Sequence, residues 1–258
     1  MLIAAVLVPA ALLGLVVGSF INVVSHRVPR GESVVRPRSR CPRCRNEISP
    51  RDNVPVISWV MLRGKCRSCA EPIPIRYPAT EMGTSLLFVL FTLRFGVVAP
   101  LPAYLLLAAV LVAVTATDLE HRLVPKKIVW TGFGAGAVLL AAAAVFDGEP
   151  KRLVTMAAGS TLAFGGLFVI HFISPRGMGF GDVRLAALLG LFLGWLGLAY
   201  VGLGLFSGFV TGGVAGIGAL LAGRSRKSAL PFAPFLALGT VIAILLGAPI
   251  LDWYLSTA

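Results

Sequence analysis

Long apolar runs separated by short polar breaks fill most of this chain. A helix of roughly 20 apolar residues crosses a bilayer. On that rule eight spans are predicted, at about residues 2–24, 80–95, 101–118, 128–146, 153–173, 184–198, 200–222 and 232–254. The second is short on a strict apolar count and has room to begin near Ile75. Residues 185–223 are too long for one span, and Gly194-Trp195-Leu196-Gly197 supplies a turn inside them. Leu2–Val24 carries no charge. It has no basic n-region and is too long for an h-region, so it reads as an uncleaved first span rather than a signal peptide. One polar insertion, residues 25–79, interrupts the pattern after that span, and no internal repeat is evident. The predicted fold is an all-α polytopic membrane protein of about eight transmembrane helices with a small loop domain after the first.

Composition agrees. Of 258 residues, 57% are hydrophobic and 13% charged, against about 25% charged in soluble domains. The net charge of +12 raises the question of nucleic acid, but the distribution of that charge answers it. Eight spans put both termini on one side. The loop 25–79 holds twelve Lys and Arg, and the other loops on its side bring the total to 20, leaving only Arg94, Lys151 and Arg152 opposite. That asymmetry places the loop in the cytoplasm and the termini outside. It accounts for the basicity without nucleic acid, and such a loop sits well against anionic lipid headgroups.

The same topology singles out two acids among only eleven in the chain. Asp118 ends the run Tyr104–Thr117, and Asp182 closes Gly179-Phe180-Gly181-Asp182 before another apolar run. Ionisable groups at membrane depth are costly and are functional candidates by default. Span three finishes in the cytoplasm and span six begins there, so both carboxylates lie at the cytoplasmic membrane edge on different helices. Taken singly, each has a plain structural reading, as a helix-end residue or an N-terminal cap. Taken together they fit two-carboxylate chemistry, in which one ionised acid activates water and one protonated acid donates to a carbonyl. Close like charges cannot both ionise easily, so such a pair shares a proton and titrates as a unit. The glycines of Gly177-Met178-Gly179-Phe180-Gly181 would let an extended peptide lie beside Asp182, through close backbone approach or positive φ.

The four cysteines form Cys41-Pro-Arg-Cys44 and Cys66-Arg-Ser-Cys69, all in the loop. Two Cys-x-x-Cys knuckles separated by 21 residues read as a tetrahedral Cys₄ zinc site. The reducing cytoplasm argues against disulfides. Four thiolates close the coordination sphere, so the expected role is structural. A redox pair, chance clustering and iron are the other readings. Other catalytic sets are missing. There is no His-Glu-x-x-His, no Gly-x-Ser-x-Gly and no Gly-x-Gly-x-x-Gly after a strand, and His26, His121 and His171 are scattered.

In order along the chain, these motifs resemble the type IV prepilin peptidases, bifunctional leader peptidases and N-methyltransferases. The resemblance runs from about Gly18 to Gly239. It begins with Gly18-Ser-Phe-Ile-Asn-Val-Val followed by Arg27 and Pro29, then takes in the cysteine pairs and Arg76-Tyr77-Pro78 with Glu81. It continues through Asp118-Leu119 with Leu123-Val124-Pro125, Gly179-Phe180-Gly181-Asp182, and Pro231–Gly239. The resemblance implies an aspartic peptidase of the bacterial inner membrane. It would cut the short basic leader from prepilins or pseudopilins after a glycine, with Asp118 and Asp182 as the catalytic pair. It further implies methylation of the new N-terminus from S-adenosylmethionine. That activity belongs to the cytoplasmic loop, where Gly64 and Lys65 match positions tied to it. The domains expected on this basis are the first helix 1–24, the methyltransferase-associated zinc loop 25–79 and a seven-helix peptidase domain 80–258. Glu81, Gly179 and Gly181 are candidate substrate contacts, with a snorkelling residue as the plain reading of Glu81. Asn22 is expected to hydrogen-bond between helices rather than react. Arg184 stands where the family often has Lys, Lys126 where Asp or Asn is usual, and Ala233 where Gly is usual. The competing readings are a scaffold whose zinc loop docks a partner and a proton-coupled transporter. The sequence does not set the oligomeric state.

Overall fold

The computed structural model describes residues 2–175, 177–223 and 231–257. Arg176, Arg224, Arg226 and Lys227, which enter the charge count, lie outside the described residues. The apolar runs form α1 (Leu2–Arg27), α3 (Arg76–Phe95), α4 (Leu101–His121), α5 (Lys126–Phe146), α6 (Lys151–Ile173), α7 (Phe180–Leu196), α8 (Leu198–Leu221) and α9 (Ala233–Thr257), with one short helix α2 (Ile57–Met61) in the loop. Each predicted span has its helix. Six of them, α1, α4, α5, α6, α8 and α9, are long and apolar enough to cross a membrane on their own. α3 and α7 are not among these six, for different reasons, so the count of eight spans rests on the pattern alone.

The chain divides into two compact units, residues 1–97 and 98–258. In the first, α1 and α3 cross at Gly14 and Gly18. A Cβ at these positions would lie 2.5 Å from Ser85 Cα and 2.6 Å from Glu81 Cα. Four-residue spacing puts both glycines on one face, and small residues let the two backbones meet. Around the crossing, Ser85 Oγ donates to the Ala11 carbonyl at 2.9 Å, and Asn22 Nδ2 donates to the Tyr77 carbonyl at 3.1 Å. Asn22 is thus the interhelical hydrogen bonder expected of it. α3 turns Glu81, Thr84 and Thr92 inward, and these polar residues lower its apolar count.

The second unit is built around α7. Nearly every residue from Val183 to Trp195 is buried, so the helix is apolar all round because protein surrounds it. At 17 residues it is also short for a span. Its glycines admit α6, where a Cβ on Gly190 would lie 2.3 Å from the Gly159 carbonyl oxygen. The same device joins α8 to α9, where a Cβ on Gly239 would lie 2.3 Å from the Gly204 oxygen. The turn expected between spans six and seven falls at Gly197, whose φ of 134° is open to glycine and strained for other residues.

Candidate active site and metal centre

Asp118 lies in the last turn of α4. That turn is closed by Arg122 in the left-handed conformation (φ 52°), whose N–H donates to the Asp118 carbonyl at 2.9 Å. Asp182 is the third residue of α7. The two helices run antiparallel: Val124, just past the end of α4, lies against Gly181 at the start of α7, and the far ends meet as well. Tyr104, early in α4, donates its hydroxyl to the Phe192 carbonyl of α7 at 2.9 Å, and the two rings meet edge to face at 5.8 Å. From that contact α4 rises roughly 21 Å to Asp118 and α7 roughly 15 Å to Asp182, at about 1.5 Å per residue. Both acids therefore stand at the same end of one helix pair. Asp118 is 5% and Asp182 8% exposed, and the charge of one acts on the other.

Neighbouring segments fix this pair. The backbone N–H of Ala233, the first residue of α9, donates to Asp118 Oδ2 at 3.1 Å. Gly181 lies against the turn after α4, and a Cβ there would come 2.9 Å from Val124 Cβ. That contact joins Leu123-Val124-Pro125 to the residue beside Asp182. Gly179 is the N-cap of α7 in extended backbone, and a Cβ on it would meet Asp182 Oδ2 at 3.4 Å. Neither Gly179 nor Gly181 has positive φ, and the close approach at Gly181 is to Val124 of the same chain. His171 contributes a residue the sequence gave no reason to select. Its Nδ1 is 2.8 Å from the Met178 carbonyl and its ring packs on Phe180 at 5.5 Å, which ties the end of α6 to the glycine loop.

The loop of the first unit contains two matching knuckles. Cys41 N–H donates to the Asn46 carbonyl and Arg45 N–H to the Cys41 carbonyl, at 3.0 and 2.9 Å. Cys66 N–H donates to the Glu71 carbonyl and Ala70 N–H to the Cys66 carbonyl, at 2.8 and 2.9 Å. Arg45 and Ala70 both have positive φ, 59° and 57°. This is a local repeat that side-chain identity hides outside the cysteines themselves. The four sulfurs lie within 4.8 Å of one another, and Cys41 and Cys69 are 3.8 Å apart. A tetrahedron of thiolates at a Zn–S distance of about 2.3 Å has edges of about 3.8 Å, so the cluster fits zinc. The Cys44 backbone N–H, against the opposing effect of burial, brings the Cys41 thiol down to about 7, while, against the Glu71 backbone N–H, burial and the neighbouring thiols push Cys69 up to about 12. Arg43 of the first knuckle pairs with Glu71 of the second. Arg67 forks onto Asp52 at 2.6 and 2.8 Å and holds its carboxyl below the ordinary value.

Gly64 and Lys65 follow α2. Gly64 has φ 66°, and a Cβ on it would lie 3.0 Å from the Trp59 ring. Trp59 in turn donates Nε1–H to the Ile73 carbonyl at 3.0 Å. The positive φ and the Trp59 ring together favour glycine there, while Lys65 is exposed.

Glu81 is 7% exposed and does not snorkel. Its Oε2 accepts the Val56 N–H at 2.7 Å, and Ser19 of α1 also bonds its carboxylate. Val56 is held at φ 60°, ψ −50°, with Ile57 N–H on the Pro55 carbonyl at 2.5 Å. This is a γ-turn centred on a β-branched residue, a conformation that costs on the order of 1–3 kcal/mol. Glu81 therefore fastens the loop to α1 and α3 through a strained turn. Glu81→Ala should release residues 50–62 to rapid hydrogen exchange, and Glu81→Gln, which keeps an acceptor oxygen, should restore protection. Equal protection in both variants would contradict this role.

Comparison with known proteins adds the following. The Bacterial Peptidase A24 N-terminal domain family matches residues 12–95. The Type IV leader peptidase family matches residues 105–251. A prepilin leader peptidase/N-methyltransferase of Bacillus subtilis is 35% identical over 248 residues, covering 95% of this chain and 96% of the relative. One of Myxococcus xanthus is 41% identical over 212 residues, covering 81% and 62%. One of Aeromonas hydrophila is 34% identical over 275 residues, covering 95% and 92%. No solved structure matches the chain.

Proposed function

We propose that this chain, which belongs to the type IV leader peptidase family, removes the basic leader of prepilins or pseudopilins at the cytoplasmic membrane face by two-aspartate catalysis. We propose also that it methylates the amine so released. The observation that carries the first reading is the placement of Asp118 and Asp182: two buried acids at the same end of two antiparallel helices. The excess of Lys and Arg in the loop and its companion turns supports the cytoplasmic side.

In this reading one aspartate, ionised, takes a proton from water as the water oxygen adds to the scissile carbonyl carbon. The other, protonated, gives its proton to the carbonyl oxygen. Collapse of the tetrahedral intermediate breaks the C–N bond: the proton first taken from water goes to the leaving nitrogen, and a hydroxyl of the intermediate returns its proton to the other aspartate as the carbonyl re-forms, which restores the starting pair. The Ala233 N–H keeps Asp118 Oδ2 oriented, and the contact of Gly181 with Val124 holds Asp182 at its level. Burial keeps bulk water from competing with the one reacting molecule.

Cys41, Cys44, Cys66 and Cys69 would hold zinc, which supplies folding free energy to the loop and no open site for chemistry. S-adenosylmethionine would supply the methyl group. Gly64 is accounted for by Trp59, and neither Gly64 nor Lys65 lines the cleft that the loop forms with α1, so no step is routed through them.

The test is incubation of the purified protein with a prepilin peptide, with and without S-adenosylmethionine. Mass spectrometry should show leader loss in both and a gain of roughly 14 daltons only with the methyl donor. An intact peptide in both would contradict the peptidase reading. Cleavage without the gain would contradict the methyltransferase reading alone.

A further inference from the structure

The first unit contains an open cleft of about 500 Å³ that the readings above leave unused. Its size is that of a ligand pocket. One wall is a single face of α1, formed by Val16, Phe20, Val23 and Arg27. Val16 and Phe20 are 60% and 52% exposed on a helix apolar enough to cross a membrane, so this wall faces hydrocarbon. The other wall is the chain that folds back after α1, including Val35 and Arg38. The cleft is thus apolar along the helix and cationic at its end.

The cationic end is partly built in advance. Arg27 Nη1 donates to the Ser33 carbonyl and Nη2 to the Pro37 carbonyl, both at 2.9 Å. These bonds fix the guanidinium and leave three of its five N–H donors for a ligand. Arg38 is exposed and has no hydrogen-bond or ion-pair partner among the described residues. None of the fourteen lining residues is acidic.

This combination selects among ligands. A basic peptide would meet two guanidinium groups and no carboxylate. S-adenosylmethionine has a carboxylate for an arginine, but its sulfonium and ammonium would find no acid in the lining, and it has no hydrocarbon chain for the α1 face. Inorganic phosphate would satisfy the arginines but leave the apolar wall unused. An anionic amphiphile uses both parts, since phosphate suits arginine forks and hydrocarbon suits the α1 face. We propose that the cleft binds one anionic phospholipid, with its phosphate at Arg27 and Arg38 and an acyl chain along Val16, Phe20 and Val23. A lipid held there becomes part of the seat that fixes the loop on α1, independently of any role of the aspartates.

The test is native mass spectrometry of the full-length protein in detergent with added phosphatidylglycerol or phosphatidylcholine of the same chain length. One phosphatidylglycerol should be retained and phosphatidylcholine should not. Arg38→Gln should weaken retention about tenfold or more, as expected for loss of a charged hydrogen bond. Its zinc content and thermal unfolding should match the wild type, because Arg38 is exposed and makes no hydrogen bond or ion pair among the described residues. Arg36→Gln, two residues away and outside the lining, should retain the lipid as the wild type does. Millimolar inorganic phosphate and S-adenosylmethionine should each fail to displace it. Undiminished retention in Arg38→Gln, equal retention of phosphatidylcholine, or displacement by either small molecule would overturn the proposal.

Discussion

Asp118→Asn and Asp182→Asn should each slow leader cleavage by about 10³-fold or more, with the protein folded and still in the membrane. General acid–base groups contribute about 10²–10⁴-fold, and a pair that must share one proton loses both roles when either member cannot ionise. Asparagine is the informative replacement. At 118 it keeps an oxygen for the Ala233 N–H, so the join between α4 and α9 survives. At 182 it keeps the shape of a residue packed in the first turn of α7 beside Gly179. Loss of cleavage with unchanged thermal unfolding then reports chemistry rather than folding. Wild-type cleavage in either variant would contradict the role of that residue.

The second large effect is expected at the cysteines. Cys41→Ser or Cys66→Ser should release the metal, unfold the loop and abolish methyl transfer while cleavage of the leader continues. The reason is the scarcity of any other core. Between residues 28 and 75 only Cys41, Ser58 and Gly64 are buried, and the loop's ion pairs are largely exposed, which makes each worth about 1 kcal/mol or less. A structural zinc site supplies apparent binding free energies of about 10–16 kcal/mol, and that free energy is folding free energy. Metal content by mass spectrometry, proteolytic susceptibility of the loop and the methyl shift on the product should change together. Persistent methyl transfer by a metal-free loop would contradict the assignment.

Much of this was legible in the sequence because hydropathy encodes depth. Asp118 and Asp182 stand out at the ends of apolar runs, and charge asymmetry assigns them one membrane edge. Cysteine spacing was equally direct, since two short knuckles carry their geometry locally. What stayed hidden depends on contacts between distant segments. Nothing local marks Ala233 as the donor to Asp118, 115 residues away, or His171 as the anchor of Met178. From the sequence Glu81 reads as a candidate substrate contact or a snorkelling residue. Its actual partner is a backbone N–H in a γ-turn around Val56, a conformation that valine rarely adopts and that no propensity would suggest. α7 was misleadingly ordinary as an apolar run, because hydropathy does not distinguish a helix surrounded by lipid from one surrounded by protein.

The most direct test of the central claim is a double-mutant cycle on leader cleavage, comparing wild type, Asp118→Asn, Asp182→Asn and the double variant on one prepilin peptide. Groups that act as one unit are grossly non-additive. If one proton is shared, the double variant should be no slower than the slower single variant. Losses that multiply, or a single variant that cleaves at the wild-type rate, would contradict a shared-proton aspartate pair.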